Sequence, residues 1–474
     1  MKRYFYFPTG RQLWFDLPER LATKGIAEPV LWIGDSALDR QAQERFPDAQ
    51  ILPFRSFTKT RRVPAADYDG AFSTFWNSDT HFRVKERAIK LMDRADPHED
   101  FRNVDRDAFF NSLVAWGLDR LATLRPDFLL YSEAPHGTAP YVLYELAKFA
   151  GIPVYGFTSW PLMPVLSLRR DIDGPRLARP QSAKDAAFAQ RFNSVVATYL
   201  QGFADPVNYG FEPRYMKRQR LRDPDMGLKQ TLIRALRGPV AVLALLSRRK
   251  RVAAIRRHAL RRAMDPLLAT ALPEKYVYFP LHYEPERTTN PDGGDFHDQM
   301  RTLAYLRSVI PADMQIVVKE HPSSFNVWMN GHLGRSPGFY DMIHKVKGVH
   351  IVPTSHSTAE LILGSAFVVS ITGTVALEAA ILGRRALTFG NCWFEGCPGI
   401  HRYSDAFNYD DFIASSTAAP DEIQDWMAQT YAAFGLPGCI NPSNERYFAK
   451  FYDGTNLNQL ETDAVTDAVI TAIS

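Results

Sequence analysis

Val368-Val369-Ser370-Ile371-Thr372-Gly373-Thr374-Val375-Ala376-Leu377-Glu378-Ala379-Ala380 runs from an apolar β-type stretch, through a turn of small residues, into a helix. An apolar run with no polar alternation suits a strand buried on both faces, which is how parallel strands in α/β sheets read. The spacing predicts a strand over 368–371 and a helix over 375–382. Working outward, the same grammar recurs on both sides. Tyr276–Leu281, Gln315–Lys319, His350–Val352 and Ala386–Phe389 read as strands, with helices at Met300–Val309 and Thr358–Leu363. Strand–helix alternation of this kind predicts a parallel sheet covered on both faces.

A similar series occupies the first 165 residues. Tyr4–Phe7, Val30–Gly34, Ile51–Phe54, Phe128–Ser132 and Val154–Phe157 read as strands, and Phe109–Leu124 and Tyr141–Ala150 have apolar residues at helical spacing. At 474 residues the chain exceeds one ordinary core, so two units are expected. The predicted architecture is α/β and GT-B-like: two Rossmann-type domains with parallel sheets facing a cleft, plus a helical basic insertion. The expected boundaries are 1–165 for an acceptor-side domain and 166–272 for the basic insertion. A donor-nucleotide-binding domain follows over 273–435, and helices over 436–474 are expected to return to the first domain.

A hydrophobic fraction of 46% and a charged fraction of 23% are those of an ordinary globular protein. Net charge of +4 supplies no global field for nucleic acid. Cys392, Cys397 and Cys439 form neither a paired framework nor a spaced metal cluster, so no metal is expected and a zinc knuckle from Cys392 and Cys397 is a weak idea. The start of the chain carries no apolar leader pattern, and the longest apolar candidate near it in character, Val240 to Leu246, is far below the ~18 residues of a membrane span. These features predict a cytoplasmic protein.

One segment stands apart in charge. Residues 217–262 contain fifteen Lys or Arg and only two acids, Asp223 and Asp225, and Arg248-Arg249-Lys250-Arg251 closely follows the apolar run. A basic amphipathic helix pair lying on an anionic membrane surface is one reading, giving peripheral attachment at the inner membrane. The plainer reading is a solvated helical insertion. With almost no aromatic residues to stack on bases, a nucleic-acid role is not expected.

Four constellations carry candidate chemistry. In the opening stretch, the N–H groups of a helix start and the hydroxyls of Thr372 and Thr374 would receive an anion, with Gly373 allowing close approach. Glu378, one turn into the helix, would accept from ribose hydroxyls; the plainer reading is a Thr-capped turn. In Val317-Val318-Lys319-Glu320-His321-Pro322, a strand delivers Lys319 and His321 to one face, where they would neutralise departing phosphate charge. The loop His282-Tyr283-Glu284-Pro285-Glu286 offers Glu284 and Glu286 as nucleophile or base, unless it is simply a polar loop. In Tyr131-Ser132-Glu133-Ala134-Pro135-His136-Gly137, Glu133 ends a strand where a base for an acceptor hydroxyl would sit; the alternative is a capping turn.

With those residues in hand, the chain resembles the bacterial capsule polysaccharide biosynthesis family, whose characterised members include retaining β-Kdo transferases. The likeness runs from the Leu281–Glu286 loop through Lys319–Pro322 to Ser370–Ala379, with a weaker echo over Glu133–Ala150. It implies a modified GT-B fold, a CMP-activated 2-keto sugar acid donor as substrate, no cofactor, and His321 contacting donor phosphate. It also implies a first-domain acid, here Glu133, in catalysis, and a carboxylate nucleophile drawn from Glu286, Glu284, Asp292 or Asp298. The family's usual Gln-Pro reads Glu284-Pro285 here, and the long basic insertion is a further departure. The expected partners are a nucleotide-sugar donor and a glycan or glycolipid acceptor. Alternatives are a UDP-sugar or CDP-alditol donor, a nucleotide-sugar epimerase, or a non-catalytic capsule assembly or export factor.

Overall fold

A computed structural model of the chain describes residues 1–34, 36–58, 61–96, 100–180, 185–205, 248–285, 289–326, 329–452 and 456–474. Its strands are β1 (Lys2–Phe7), β2 (Ala27–Gly34), β3 (Gln50–Pro53), β4 (Phe128–Tyr131), β5 (Val154–Trp160) and β6 (Val165–Arg170) in the first half. The second half holds β7 (Tyr276–Pro280), β8 (Gln315–Lys319), β9 (Val349–Val352), β10 (Val368–Ser370), β11 (Ala386–Thr388), β12 (Ile400–Arg402) and β13 (Leu436–Pro437).

They form two sheets. The first has the order β13-β6-β5-β4-β1-β2-β3, and the second the order β12-β11-β10-β7-β8-β9. Strands β7 to β12 pair in parallel throughout, as do β1 to β5. In each sheet the first strand of the unit lies centrally, flanked by its second and fourth, so chain direction across the sheet reverses beside β1 and beside β7. That is the doubly wound Rossmann order, and ligands bind at such reversals, outside the carboxyl ends of the strands. The expected α/β architecture of two parallel-sheet Rossmann-type units is what the chain adopts.

Side-chain alternation divides each sheet between two cores. From β1, Phe5 and Phe7 pack with helices Asn103–Leu124 and Thr138–Phe149, while Tyr4 and Tyr6 pack with helices Leu13–Thr23 and Leu457–Ile473. In the second sheet Val277, Phe279, Ile316 and Val318 face one way, and Tyr278 and Val317 the other. The latter cluster crosses between units: Trp160, Phe192 and Val196 share it with Leu377, Ala380, Met427 and Tyr431.

Two antiparallel strands extend the first sheet beyond residue 165. β6 pairs with β5, and β13 pairs with β6, Leu436 opposite Leu166. The chain therefore leaves the first unit, builds the second, and returns. The return is fastened by buried Arg11, whose guanidinium holds Glu461 and donates to Cys439 O at 2.8 Å. Trp14 Nε1 also donates to Ile440 O.

The basic segment is partly described. Residues 217–247, including the apolar run Val240 to Leu246, lie outside the described residues. The remainder is helix Arg248–Met264, whose Ala253, Leu260 and Met264 are buried. It packs on helix Gly338–His344 and the 3₁₀ turn Gly331–Leu333, with the Arg261 guanidinium over the Phe325 ring. No helix among the described residues is long and apolar enough to cross a membrane.

Candidate functional site

At the reversal in the first sheet, β1 and β4 end side by side. Ser132 Oγ accepts from Thr9 N–H at 2.9 Å and donates to Phe7 O at 3.1 Å, binding the two strand ends together. The chain then turns through Glu133 to His136. His136 Nδ1 lies 3.0 Å from Ala134 O, and because a carbonyl only accepts, Nδ1 carries the proton. That leaves Nε2 facing Glu133 Oε1 at 3.6 Å. The adjoining cleft is lined from both units, by Ala134, Pro135, Tyr155 and Arg169 of the first and by Asp292 and Asn391 of the second. Glu133 thus stands beside the cleft.

At the matching reversal in the second sheet, β7 and β10 end beside each other. His282, just past β7, is buried, and its Nε2 accepts the amide N–H of Ile371 at 3.2 Å. Ser370 Oγ lies 3.1 Å from the same nitrogen and accepts from Gly373 N–H at 2.9 Å. Burial, together with the nearby His321 and Arg335 charges, pushes the His282 pKa down to about 3, so the ring is neutral. A side chain at Gly373 would put its Cβ 3.2 Å from the His282 ring.

This pattern corrects one element of the sequence reading. The N–H groups of Ile371 and Gly373 are taken up inside the turn, so they are not available as the helix-start donors expected for phosphate. Thr374 is exposed and makes no side-chain cap bond, whereas Thr372 and Gly373 are half-buried. The following helix, Val375–Ile381, is only two turns long.

The strand end Lys319-Glu320-His321 divides its side chains as alternation requires. Lys319 is buried; its Nζ donates to His356 O at 3.0 Å and to Thr358 Oγ1. Burial lowers its pKa to about 8, opposed by the Glu378 charge, which places Lys319 and Glu378 in one electrostatic neighbourhood. Lys319 is thus engaged by the chain after β9, not held out towards a ligand. Glu320 is fully buried and accepts from Arg335 Nε at 3.0 Å, Tyr340 OH at 2.8 Å, Ser324 Oγ at 3.0 Å and His321 N–H at 2.7 Å. Arg335 Nη2 in turn donates to His282 O at 2.7 Å, so the ion pair braces the ends of β7 and β8. His321 is half-buried; its Nδ1 accepts Ser323 N–H at 3.1 Å, which assigns the ring proton to Nε2. His321 is within electrostatic reach of His282, so the turn and His321 share one corner.

The loop after β7 forms the seam between the units. Glu284 is buried, and its Oε1 accepts from Thr289 Oγ1 at 2.9 Å and Gln299 Nε2 at 3.1 Å and lies 3.6 Å from Lys90 Nζ of the first unit. Lys90 also donates to His297 O at 2.7 Å, and Arg87 to Pro291 O at 2.8 Å. These surroundings are those of a fixed interdomain anchor, unlike the open cleft position expected of a nucleophile. Glu286 lies outside the described residues. Asp298 caps helix Gln299–Val309 by accepting from Arg301 N–H, while half-buried Asp292 lines the cleft. Close approach is needed here. A Cβ at Gly390 would fall 2.8 Å from Asp292 O and 2.7 Å from Thr372 Cγ2.

The three cysteines are free and buried, and among the described residues no group of His, Cys, Asp and Glu could hold a metal ion. The sequence reading did not single out His282, Arg335, Lys90 or His136 for these roles. A doubly wound fold puts its first and fourth strands together, so a polar residue closing each was the available signal.

Residues 241–431 match the family described as capsule polysaccharide biosynthesis protein, a stretch running from before β7 past β12. The resemblance expected from the residues is borne out there. No curated protein sequence matches the chain. Among solved structures, KpsC from Thermosulfurimonas dismutans, a beta Kdo 2,7 transferase, is 12% identical, with 65% of this chain and 78% of that one covered and a TM-score of 0.27. UDP-GlcNAc 2-epimerase from Methanocaldococcus jannaschii is 12% identical, with 95% and 100% covered and a TM-score of 0.25. Likenesses at these scores leave the activity to be argued from the residues themselves.

Proposed function

We propose that this chain, whose residues 241–431 carry the capsule polysaccharide biosynthesis match, is a glycosyltransferase that moves a sugar from a nucleotide donor to a glycan or glycolipid acceptor. The observation that carries the reading is the family match falling on the unit that holds His321 and the Thr372–Thr374 turn at its strand ends, beside a cleft lined from both units by Ala134 and Asp292. In this reading the donor is CMP-linked, Kdo being the first sugar to try, and no cofactor takes part. His321 Nε2–H and the Thr374 side of the turn meet donor phosphate, where a positive or hydrogen-bonding group stabilises the charge left on the departing nucleotide. Glu378 takes the ribose, and Lys319 supports it from beneath.

Glu133 acts on the acceptor side. A second-unit carboxylate attacks the anomeric carbon as the bond to phosphate breaks, and Glu133 then removes the proton of the acceptor hydroxyl as the acceptor oxygen displaces that carboxylate. Asp292 and Glu286 are the second-unit acids left for a nucleophile, since Glu284 is occupied by Thr289, Gln299 and Lys90. Incubation with CMP-, CDP- and UDP-linked sugars, followed by analysis of transfer and hydrolysis products, tests the reading. Release of CMP dependent on acceptor is the expected result. Conversion of UDP-GlcNAc without acceptor would instead identify an epimerase, and turnover of none of the donors would overturn the proposal.

A further inference from the structure

Helix Arg248–Met264 turns one face inward, and among the described residues the other face is exposed. Ala253, Leu260 and Met264 are buried against the second unit, and Arg257 Nη1 lies 3.5 Å from His332 Nδ1 on the same side. The opposite face carries Arg251, Ile255, His258 and Arg262, spaced four, three and four residues apart, which is the repeat of one helical stripe. All four are exposed, with Ile255 68% exposed and neighbouring Val252 39%. The helix contains eight Lys or Arg and no Asp or Glu.

We infer that this outward stripe docks the protein on an anionic lipid surface. Charge complementarity names the occupant: a face with only cations and no acids attracts the negative headgroups of a bilayer. The apolar side chains among those cations decide between polyanions. Ile255 and Val252 gain from entering the headgroup boundary, whereas a nucleic-acid surface offers them nothing and the helix has no aromatic ring to stack on bases. The inward packing fixes the stripe rigidly to the second unit, so docking orients the protein as well as concentrating it. The inference stands independently of the transfer reaction.

Flotation of the full chain with phosphatidylcholine vesicles, with and without phosphatidylglycerol, tests it. Binding only to the anionic vesicles is expected, weakening as the screening length contracts from ~10 Å at 0.1 M salt to ~3 Å at 1 M. The variant R251E/R262E should bind at least about 25-fold more weakly, taking about fivefold per cationic contact. I255S should lose a few-fold, and R251K/R262K should bind as the parent does, which also shows that the helix tolerates change at these sites. Equal binding to neutral vesicles, no binding to either, or unchanged binding by R251E/R262E would overturn the inference. Binding to duplex DNA with the same Arg251 and Arg262 dependence, in place of vesicles, would assign the stripe to nucleic acid.

Discussion

His282 Nε2 accepts the amide N–H of Ile371 at 3.2 Å, so a neutral imidazole ties the end of β7 to the turn that follows β10. Removing it leaves a buried N–H without its acceptor and a cavity beside Gly373. His282→Ala should cost about 2–4 kcal/mol, read as a lower denaturant midpoint with unchanged m-value.

The same bond makes stability depend on acidity. Burial holds the pKa of both His282 and His297 down to about 3, aided by the Arg335 and Lys90 charges respectively. The unfolded chain takes up a proton on each near pH 6.5, and the folded chain only near pH 3. Unfolding free energy should therefore fall as pH drops through that window, each histidine contributing a slope of up to about 1.4 kcal/mol per pH unit. In His282→Phe the slope should be shallower; an identical slope would mean that other groups set the acid limit.

Glu320 and Arg335 form a buried pair at 3.0 Å. Breaking one side strands a charge, so Glu320→Leu or Arg335→Leu should each cost about 3–5 kcal/mol. Changing both to apolar residues should recover much of that loss. A double-mutant cycle by chemical denaturation measures it.

The two candidate acids should separate by kinetics. Glu133→Gln should lower the transfer kcat by about 10²–10⁴-fold, as expected for loss of an acid–base group, with stability unchanged. Glu284→Gln should act mainly on stability and on domain seating, because Thr289, Gln299 and Lys90 already converge on it. Equal kinetic losses in the two variants would return Glu284 to the chemistry.

Much of this arrangement is legible in the sequence. Apolar runs such as Val368-Val369 and Val317-Val318 announce buried parallel strands by composition alone, and the Thr372–Thr374 turn and His321 announce where those strands end. What stayed hidden depends on adjacency between distant strands. Nothing in the order of the residues says that His282 and Ile371 meet, or that Lys90 lies across from Glu284, because the first contact joins strands far apart in the chain and the second joins the two units. β6 was missed for a different reason. The expected boundary at 165 puts residues 166–170 in the basic insertion, and only pairing with β5 and β13 makes Val165–Arg170 a strand.

β13 has a mechanical consequence. A protein whose second unit hangs from the first by a single linker can swivel about that linker in any direction. Here the chain crosses between the units twice, and the returning strand is stitched into the first sheet beside β6. The second crossing removes the free swivel that a single linker would allow, and the apolar cluster shared by Trp160, Phe192, Leu377 and Met427 joins the halves further.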